Sequence, residues 1–160
     1  MTDAAHSIIK RVLSWPEIQV LVGRLAEQLP RDFDALLIIT RGGLVPGGLL
    51  SEELDIRNVL VAAVQFYTGI GQTLDHPIFF QFPADTILYG KRILVVDDIW
   101  DSGRTAVAVR DRVREVGGLP SVAVLHYKPL RSRYPDERPD YFVEETDDWI
   151  VYPWDRAEFT

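Results

Sequence analysis

An α/β domain with a mainly parallel sheet flanked by helices is the fold class that the sequence predicts. Residues 35–40 and 92–98 each contain a continuous apolar run, as strands do when helices cover both faces of their sheet. Such strands alternate along the chain with segments of helical periodicity, which is typical of a parallel sheet. The 160 residues show no internal repeat, linker or low-complexity segment, so we expect one domain over residues 1–160.

The first element is a helix that begins after Ser14. Ser14 and Glu17 have the spacing of a capping box, in which each side chain accepts a hydrogen bond from the backbone N–H of the other residue. Apolar residues then repeat at helical spacing until Pro30 ends the run; they are Ile18, Leu21, Val22, Leu25 and Leu29. We therefore predict one helix between Ser14 and Pro30.

The remaining elements continue the alternation. They are a strand at 35–40, a turn at 41–43, a helix ending near Leu54, strands at 58–66 and 92–98, a helix from Ala106 that stops at Gly117-Gly118, and strands at 121–127 and 141–145. Residues 67–90 differ, because their three glycines, two prolines and scattered aromatic residues show no clear period apart from the run at 78–80. We predict a long loop there, with room for a hairpin; such loops are usually functional lids or disordered.

The composition narrows the functional class. A net charge of −7 argues against a protein that coats nucleic acid, but it allows a few local donors to bind one phosphorylated small molecule. The absence of cysteine excludes disulfides, thiolate metal sites and a cysteine nucleophile. Residues 1–14 lack the apolar run of a signal peptide, and no stretch is apolar enough to span a membrane. We therefore expect a cytoplasmic protein.

The strongest functional signal is the segment from Ile93 to Ala106, ILVVDDIWDSGRTA. Its apolar strand leads into Asp97 and Asp98, and ligands of open α/β sheets bind beyond the carboxyl ends of the strands. Paired carboxylates at such a place suit Mg²⁺, which prefers one or two carboxylates together with substrate oxygens. An Asp-Asp pair alone is more often a solvated turn, whereas the complete segment favours a ligand site.

The second half of this segment, residues 101–105, opens the next helix. Free backbone N–H groups and the helix dipole at that position favour a phosphate group. Gly103 permits the tight turn, and Thr105 adds a hydroxyl donor. We therefore predict a phosphate site beside the paired carboxylates.

The same segment resembles the phosphoribosyl-pyrophosphate-binding signature of the type I phosphoribosyltransferases. Three further blocks have the order and spacing of the bacterial xanthine–guanine phosphoribosyltransferases; they are residues 40–47, 127–129 and 148–155. The similarity covers the chain from about Ser14 to Asp155. It implies the type I fold, a mobile lid at 67–90 and a small C-terminal hood at about 128–155 that binds the base.

The activity implied by the resemblance is transfer of the 5-phosphoribosyl group from 5-phosphoribosyl-1-pyrophosphate to a 6-oxopurine base (guanine, xanthine or hypoxanthine). Pyrophosphate is released, and the reaction serves purine salvage. The implied cofactor is Mg²⁺, and the implied assembly is a homodimer or homotetramer. The implied partners are the donor and the base, with neither nucleic acid nor a membrane among them.

For the donor, the resemblance implies that Arg41 and Gly42 bind pyrophosphate through main-chain amides, often across a non-proline cis peptide. Gly42-Gly43 taken alone would be a simple turn. Asp97 and Asp98 would hold Mg²⁺ and lie near the ribose hydroxyls. The residues that would cradle the 5-phosphate are Ser102, Gly103, Arg104 and Thr105.

For the base, the resemblance implies that Asp101 accepts the proton of purine N7 while N9 attacks carbon 1 of the ribose. Lys128 would donate a hydrogen bond to the 6-oxo group, Trp149 would stack on the base, and the main chain at Ile150 would read its edge. Structural interpretations also exist. Asp101 suits the N-cap of the following helix, and a lysine at a strand end is usually solvated or snorkelling. Tryptophan is more often a core residue, although acidic neighbours favour a half-exposed ring for Trp149.

Three features depart from the resembled enzymes. Phe66-Tyr67 replaces the Ser-Tyr pair usual in the lid, residues 58–90 contain no lysine or arginine, and Trp100 is bulkier than the usual small aliphatic residue. We therefore expect pyrophosphate to be neutralised mainly by Mg²⁺, Arg41 and backbone amides. We also expect a mobile segment around residues 68–77.

Two other functions stay open at this point. The first is a regulator that binds a nucleotide or the phosphoribosyl donor without turnover. Such regulators usually add a DNA-binding domain or a basic RNA-binding face, and the nearest feature here is the group Arg131, Arg133 and Arg138. The second is an enzyme for a broader range of bases or a different base, such as hypoxanthine only or a pyrimidine.

Overall fold

Every element predicted outside residues 67–90 is confirmed by the computed structural model, which describes residues 9–67 and 76–156. The helices are α1 (Trp15–Gln28), α2 (Leu44–Leu54), α3 (Asp85–Leu88) and α4 (Arg104–Glu115). The strands are β1 (Lys10–Val12), β2 (Ala35–Ile39), β3 (Val59–Tyr67), β4 (His76–Gln81), β5 (Arg92–Trp100), β6 (Leu119–Tyr127), β7 (Tyr141–Glu145) and β8 (Trp149–Val151). The capping box is present, since the Glu17 amide donates to Ser14 Oγ at 3.3 Å and the Ser14 amide donates to Glu17 Oε2 at 2.7 Å.

A six-stranded sheet in the order β4-β3-β2-β5-β6-β7 forms the centre of the domain. Neighbouring strands are parallel except for β4, which is antiparallel to β3. Because the parallel strands run in one direction, the segments that follow β2, β5 and β6 leave the sheet at the same edge. That edge brings together residues 40–43, 101–103 and 128–133.

Helices cover both faces of the sheet, which explains the continuous apolar runs. On one face Leu36, Leu94 and Leu125 share a core with α1 and α2. On the other face Leu37 and Val95 share a core with α4. Successive residues of each strand alternate between these two cores, because successive side chains point to opposite faces of a sheet.

The prediction of a long loop over residues 67–90 is wrong for its second half, whereas the hairpin for which the prediction left room is confirmed. β4 pairs with β3 as a hairpin, with Phe79 opposite Val64, and α3 follows it. Phe79 also packs edge-on against Phe82, with 5.2 Å between the ring centroids. Cross-strand pairing of this kind stabilises a strand whose own sequence has no clear period. Of the segment 68–77 expected to be mobile, residues 68–75 lie outside the described chain.

The hood contains strands from both ends of the described chain. β1 pairs in parallel with β8 in a separate two-stranded sheet, with Lys10 opposite Trp149 and Val12 opposite Val151. β1 carries no signal in the sequence, because three residues show no recognisable period. An N-terminal strand therefore pairs with the last strand of the segment at about 128–155 for which the resemblance implies a base-binding hood, whereas β7 of that segment belongs to the central sheet. None of the helices in the described ranges is long and apolar enough to cross a membrane.

Trp100 ends strand β5 and points into the core. It is 1% exposed, lies edge-on to Tyr127, and donates from its Nε1 to Ser132 Oγ at 3.0 Å. Its indole occupies the space beside Gly103 where a Cβ would otherwise lie, and Gly103 has a φ of 83° that favours glycine. The bulk of Trp100 is therefore accommodated beneath the loop that opens α4.

Candidate active site

Three adjoining cavities lie at the carboxyl edge of the sheet, and together their linings include every residue that the sequence analysis assigns to a site. The first cavity, of about 440 Å³, lies at the start of α2, and its lining includes Arg41, Gly42, Trp154, Asp155 and Arg156. The second, of about 210 Å³, surrounds the start of α4 and is lined by residues 97–99 and 101–106. The third, of about 200 Å³, faces the hood and is lined by Asp98, Ile99, Asp101, Lys128, Trp149, Ile150, Tyr152 and Asp155.

The loop after β2 brings its backbone against the paired carboxylates. The peptide bond between Thr40 and Arg41 is cis, as the resemblance implies. A Cβ on Gly42 would lie 2.5 Å from Asp98 Oδ2, and a Cβ on Gly43 would lie 2.6 Å from two backbone carbonyl oxygens. Because both glycines lack a Cβ, the loop backbone can lie against the Asp98 carboxylate and the neighbouring carbonyl oxygens, where any other residue would clash. A simple turn would not require glycine at both positions.

Asp97 and Asp98 are consecutive residues of β5, and Asp98 is buried while Asp97 is partly buried. Asp98 is 9% exposed, and the Asp97 carboxylate accepts a hydrogen bond from the Asp98 amide at 2.9 Å. Burial, followed by the charge of Asp98, raises the pKa of Asp97 well above its usual range, and burial also raises the pKa of Asp98. The interpretation of this pair as a solvated turn is therefore wrong. A cation bound here would offset the repulsion between the two carboxylates.

Residues 101–103 form a tight turn that leads into α4, whose first two residues are Arg104 and Thr105. The N-cap of α4 is Gly103, and the Arg104 amide donates to Ser102 Oγ at 3.3 Å. The Arg104 guanidinium carbon lies 4.1 Å from the ring centroid of Phe66, which is cation–π geometry. Phe66, one of the departures from the resembled enzymes, therefore contacts the arginine of the predicted phosphate site.

Asp101 and Lys128 meet at the third cavity. Lys128 is 5% exposed, and its Nζ lies 3.7 Å from Asp101 Oδ2. Arg131 Nε donates to Asp101 Oδ1 at 2.7 Å. Trp149 is 53% exposed, which confirms the half-exposed ring. A buried donor, a carboxylate acceptor and an exposed aromatic ring therefore line one cavity.

Two structural alternatives are wrong for this cavity. Asp101 is not the N-cap of α4, because Gly103 takes that position and the Asp101 carboxylate contacts Arg131 and Lys128. Lys128 is neither solvated nor snorkelling, because its side chain is buried beside a carboxylate. Burial of an ammonium group requires such a partner.

The C-terminal segment contributes residues that the sequence analysis does not predict. Tyr152, Trp154, Asp155 and Arg156 line the first or third cavity. The Tyr152 and Trp154 rings are stacked with 4.7 Å between centroids, and the Tyr152 amide donates to Asp155 Oδ2 at 2.8 Å. Tyr152, Trp154 and Asp155 belong to the block at 148–155 that is similar to the xanthine–guanine phosphoribosyltransferases. That similarity was the only feature of the sequence that could have pointed to them.

His126 lies fully buried next to this segment. Its Nδ1 is 2.8 Å from the Tyr152 hydroxyl, which donates to the Asp98 carbonyl oxygen at 3.2 Å. Its Nε2 is 3.4 Å from Glu144 Oε2, a contact that lacks hydrogen-bond geometry. Burial lowers the pKa of His126 to about 4, so the ring is neutral at pH 7.

His126 should make the folded state less stable as the pH falls from 6.5 to 4. The unfolded chain binds a proton at about pH 6.5, whereas the folded chain binds it only at about pH 4. Within this window the free energy of unfolding should therefore decrease by up to about 1.4 kcal/mol per pH unit. Urea unfolding at several pH values should show this decrease in the free energy of unfolding for the wild type. The decrease should be absent in His126→Gln. The same pH dependence in both proteins would contradict the prediction.

Comparison with known proteins agrees with the resemblance. A family model described as the phosphoribosyl transferase domain matches residues 9–157. The crystal structure of a purine phosphoribosyltransferase from Pyrococcus horikoshii is 35% identical, with 92% of this chain and 95% of that chain covered at a TM-score of 0.80. A Neisseria gonorrhoeae protein with bound ppGpp is 28% identical, with 96% and 93% covered at a TM-score of 0.80. The xanthine-guanine-hypoxanthine phosphoribosyltransferase of Helicobacter pylori is 24% identical, with 91% and 93% covered at a TM-score of 0.77, and shares the fold.

Proposed function

The chain belongs to the phosphoribosyltransferase family, and we propose that this enzyme transfers the 5-phosphoribosyl group from 5-phosphoribosyl-1-pyrophosphate to a 6-oxopurine. Pyrophosphate is released, and the nucleotide product serves purine salvage. The observation that carries the proposal is the pairing of Lys128 and Asp101 at one cavity, with 3.7 Å between Nζ and Oδ2. A panel of bases assayed with the donor and Mg²⁺ tests it directly.

The edge of a 6-oxopurine matches this pair of side chains. The 6-oxo group accepts a hydrogen bond, and N7–H at the neighbouring position donates one. Lys128 is a donor without acceptor capacity, and an ionised Asp101 is an acceptor without donor capacity. Trp149 offers an exposed ring at the same cavity on which a planar base can stack. Guanine, xanthine and hypoxanthine share this edge, so the proposal covers all three.

The arrangement of the three cavities supports this reaction. The start of α4 holds the 5-phosphate, and the loop at Arg41 and Gly42 holds the pyrophosphate. Purine N9 attacks carbon 1 of the ribose, the bond from carbon 1 to pyrophosphate breaks, and Asp101 accepts the N7 proton. The transition state is oxocarbenium-like, as in other displacements at an anomeric carbon. Arg156 lines the first cavity together with Arg41, so a second arginine lies beside the proposed pyrophosphate site. The lid segment cannot supply such a charge, because residues 58–90 contain no lysine or arginine.

Asp97 and Asp98 fit a magnesium ion that is shared with the donor. They are two adjacent carboxylates whose pKa values are both raised by burial, and the charge of Asp98 raises the pKa of Asp97 further, so a cation is favoured beside them. The described residues contain no group of three or more side chains that could hold a metal by themselves. Such a partial set suits Mg²⁺, which keeps substrate oxygens among its ligands. When bound, Mg²⁺ neutralises charge on the departing pyrophosphate.

Activity should depend steeply on magnesium. Residues 58–90 contain no lysine or arginine, so a large share of the charge on pyrophosphate must be neutralised by the metal. Excess chelator should reduce turnover to the background of the assay, and added Mg²⁺ should restore it. Calorimetry should show weaker donor binding without the metal. Turnover that persists unchanged in chelator would contradict this part of the proposal.

A nucleotide-binding protein without turnover is the second candidate. The specific observation in its favour is the bound ppGpp in the Neisseria gonorrhoeae relative. A guanine nucleotide carries both a purine and phosphate groups, for which the third and second cavities are suited. Steady-state assays with guanine and the donor separate the candidates. Binding of ppGpp together with no turnover on any base would favour the second.

The proposal also includes a cytoplasmic location and a homodimer or homotetramer. Analytical ultracentrifugation of the purified protein measures the assembly. A monomer at micromolar concentration would contradict that part alone and leave the reaction untouched.

A further inference from the structure

The two oxygens of the Asp101 carboxylate have different partners. Oδ1 accepts a hydrogen bond from Arg131 Nε at 2.7 Å, whereas Oδ2 lies 3.7 Å from Lys128 Nζ. Asp101 and Lys128 both line the third cavity, and Arg131 approaches the carboxylate from outside the lining of that cavity. One oxygen is therefore bonded to a residue outside the lining of this cavity, and the other lies beside a residue of the lining.

Arg131 itself is held in place by its turn. The Arg131 amide donates to the Lys128 carbonyl oxygen at 3.2 Å, which closes the turn after β6. Two further bonds tie this turn to the loop that carries Asp101: the Arg133 amide donates to the Ser102 carbonyl oxygen at 2.9 Å, and Trp100 Nε1 donates to Ser132 Oγ at 3.0 Å. The backbones of Arg131 and Asp101 are therefore fixed relative to each other.

We infer that Arg131 is a positioning residue that orients the Asp101 carboxylate for proton transfer. The Asp101 side chain is 43% exposed, so an unrestrained carboxylate there could adopt other staggered rotamers. A general base must lie within hydrogen-bond reach of the proton that it removes. The Arg131 bond holds Oδ1 and leaves Oδ2 for purine N7–H. This inference rests on the proposed function, because it assigns Arg131 a role only through Asp101.

A double-mutant cycle with Arg131→Ala and Asp101→Asn tests the inference. Arg131→Ala alone should lower kcat for guanine roughly tenfold, a coupling of ordinary size for contacting residues. The KM values for guanine and the donor should change by less than about twofold, because Arg131 acts on the proton acceptor and lies outside the cavity. In the Asp101→Asn background, Arg131→Ala should have almost no further effect.

Two more variants separate positioning from a general structural role. Arg131→Lys should recover part of kcat, because a lysine can donate one hydrogen bond to Oδ1. Arg138→Ala removes another exposed arginine of the same segment and should leave kcat unchanged. Equal losses from Arg131→Ala in both backgrounds, or unchanged kcat in Arg131→Ala, would overturn the inference while the role of Asp101 still stood. Full activity of Asp101→Asn would instead overturn the proposed role of Asp101, and this inference with it.

Discussion

Adenine is expected to be used roughly 10⁴-fold less efficiently than guanine, measured as kcat/KM of the wild-type enzyme. Purine position 6 carries an acceptor in guanine and a donor in adenine. Lys128 offers only donors, and its side chain is buried, so it could not turn to water when adenine occupies the cavity. A buried donor left without an acceptor costs about 1–3 kcal/mol, and more when it is charged.

Lys128→Met tests whether this side chain carries the selectivity. The variant should lose roughly 10–100-fold in kcat/KM with guanine, the equivalent of one lost hydrogen bond. The guanine-to-adenine ratio should fall at the same time. The affinity for 5-phosphoribosyl-1-pyrophosphate should be unchanged, because Lys128 is absent from the described linings of the first and second cavities. Lys91→Met, which makes the same change at an exposed position before β5, is the matched control and should behave as wild type.

Two results would reject the assignment of base class. Comparable kcat/KM values for adenine and guanine in the wild type would contradict recognition of the 6-oxo group. Turnover of a pyrimidine, with none on any purine, would instead support an enzyme for a different base. Unchanged selectivity in Lys128→Met would leave the base class standing and move the recognition of position 6 to another group.

Asp101→Asn is expected to reduce the rate of the chemical step by roughly 10²–10⁴-fold, the usual contribution of a general base. Asparagine keeps the size of the side chain and an acceptor oxygen for Arg131, but it does not accept the N7 proton at neutral pH. Single-turnover kinetics with saturating donor and guanine measure this step without interference from product release. Donor affinity measured by calorimetry should be close to that of the wild type.

Asp55→Asn is the matched control for this substitution. Asp55 is an exposed aspartate at the end of α2 with a φ of 51°, a conformation that asparagine also tolerates. It lies outside the linings of the three cavities, so the control should retain the wild-type rate. A single-turnover rate in Asp101→Asn equal to that of the control would show that Asp101 is not the base.

Much of the fold could be predicted because its signals are local. Ser14 and Glu17 lie one helical turn apart, so their capping box is readable without any tertiary contact. The apolar runs of β2 and β5 indicate strands covered on both faces, and both are buried in that way. For β4 the sequence left room for a hairpin but gave no strand bounds, because its pairing with β3 joins residues that share no sequence period.

The residues of the site were predictable where they follow one another in a motif. Asp97, Asp98 and residues 101–105 form one continuous segment, and their types and spacing already indicate a cation and a phosphate. Residues that reach the site from distant segments were not predictable in the same way. Arg131 contacts Asp101 across 30 positions of sequence, and the sequence marks it only as one member of a basic group with Arg133 and Arg138.

The sequence by itself determined most of the order of helices and strands, the family and the segments that line the three cavities. Only the tertiary structure decided which side chains meet there: Lys128 buried beside Asp101, Trp100 turned into the core, and β1 joined to β8. The physical reason is that periodicity reports which face of an element is buried. The partner on that face depends on how distant elements pack, and packing is a property of the whole folded domain.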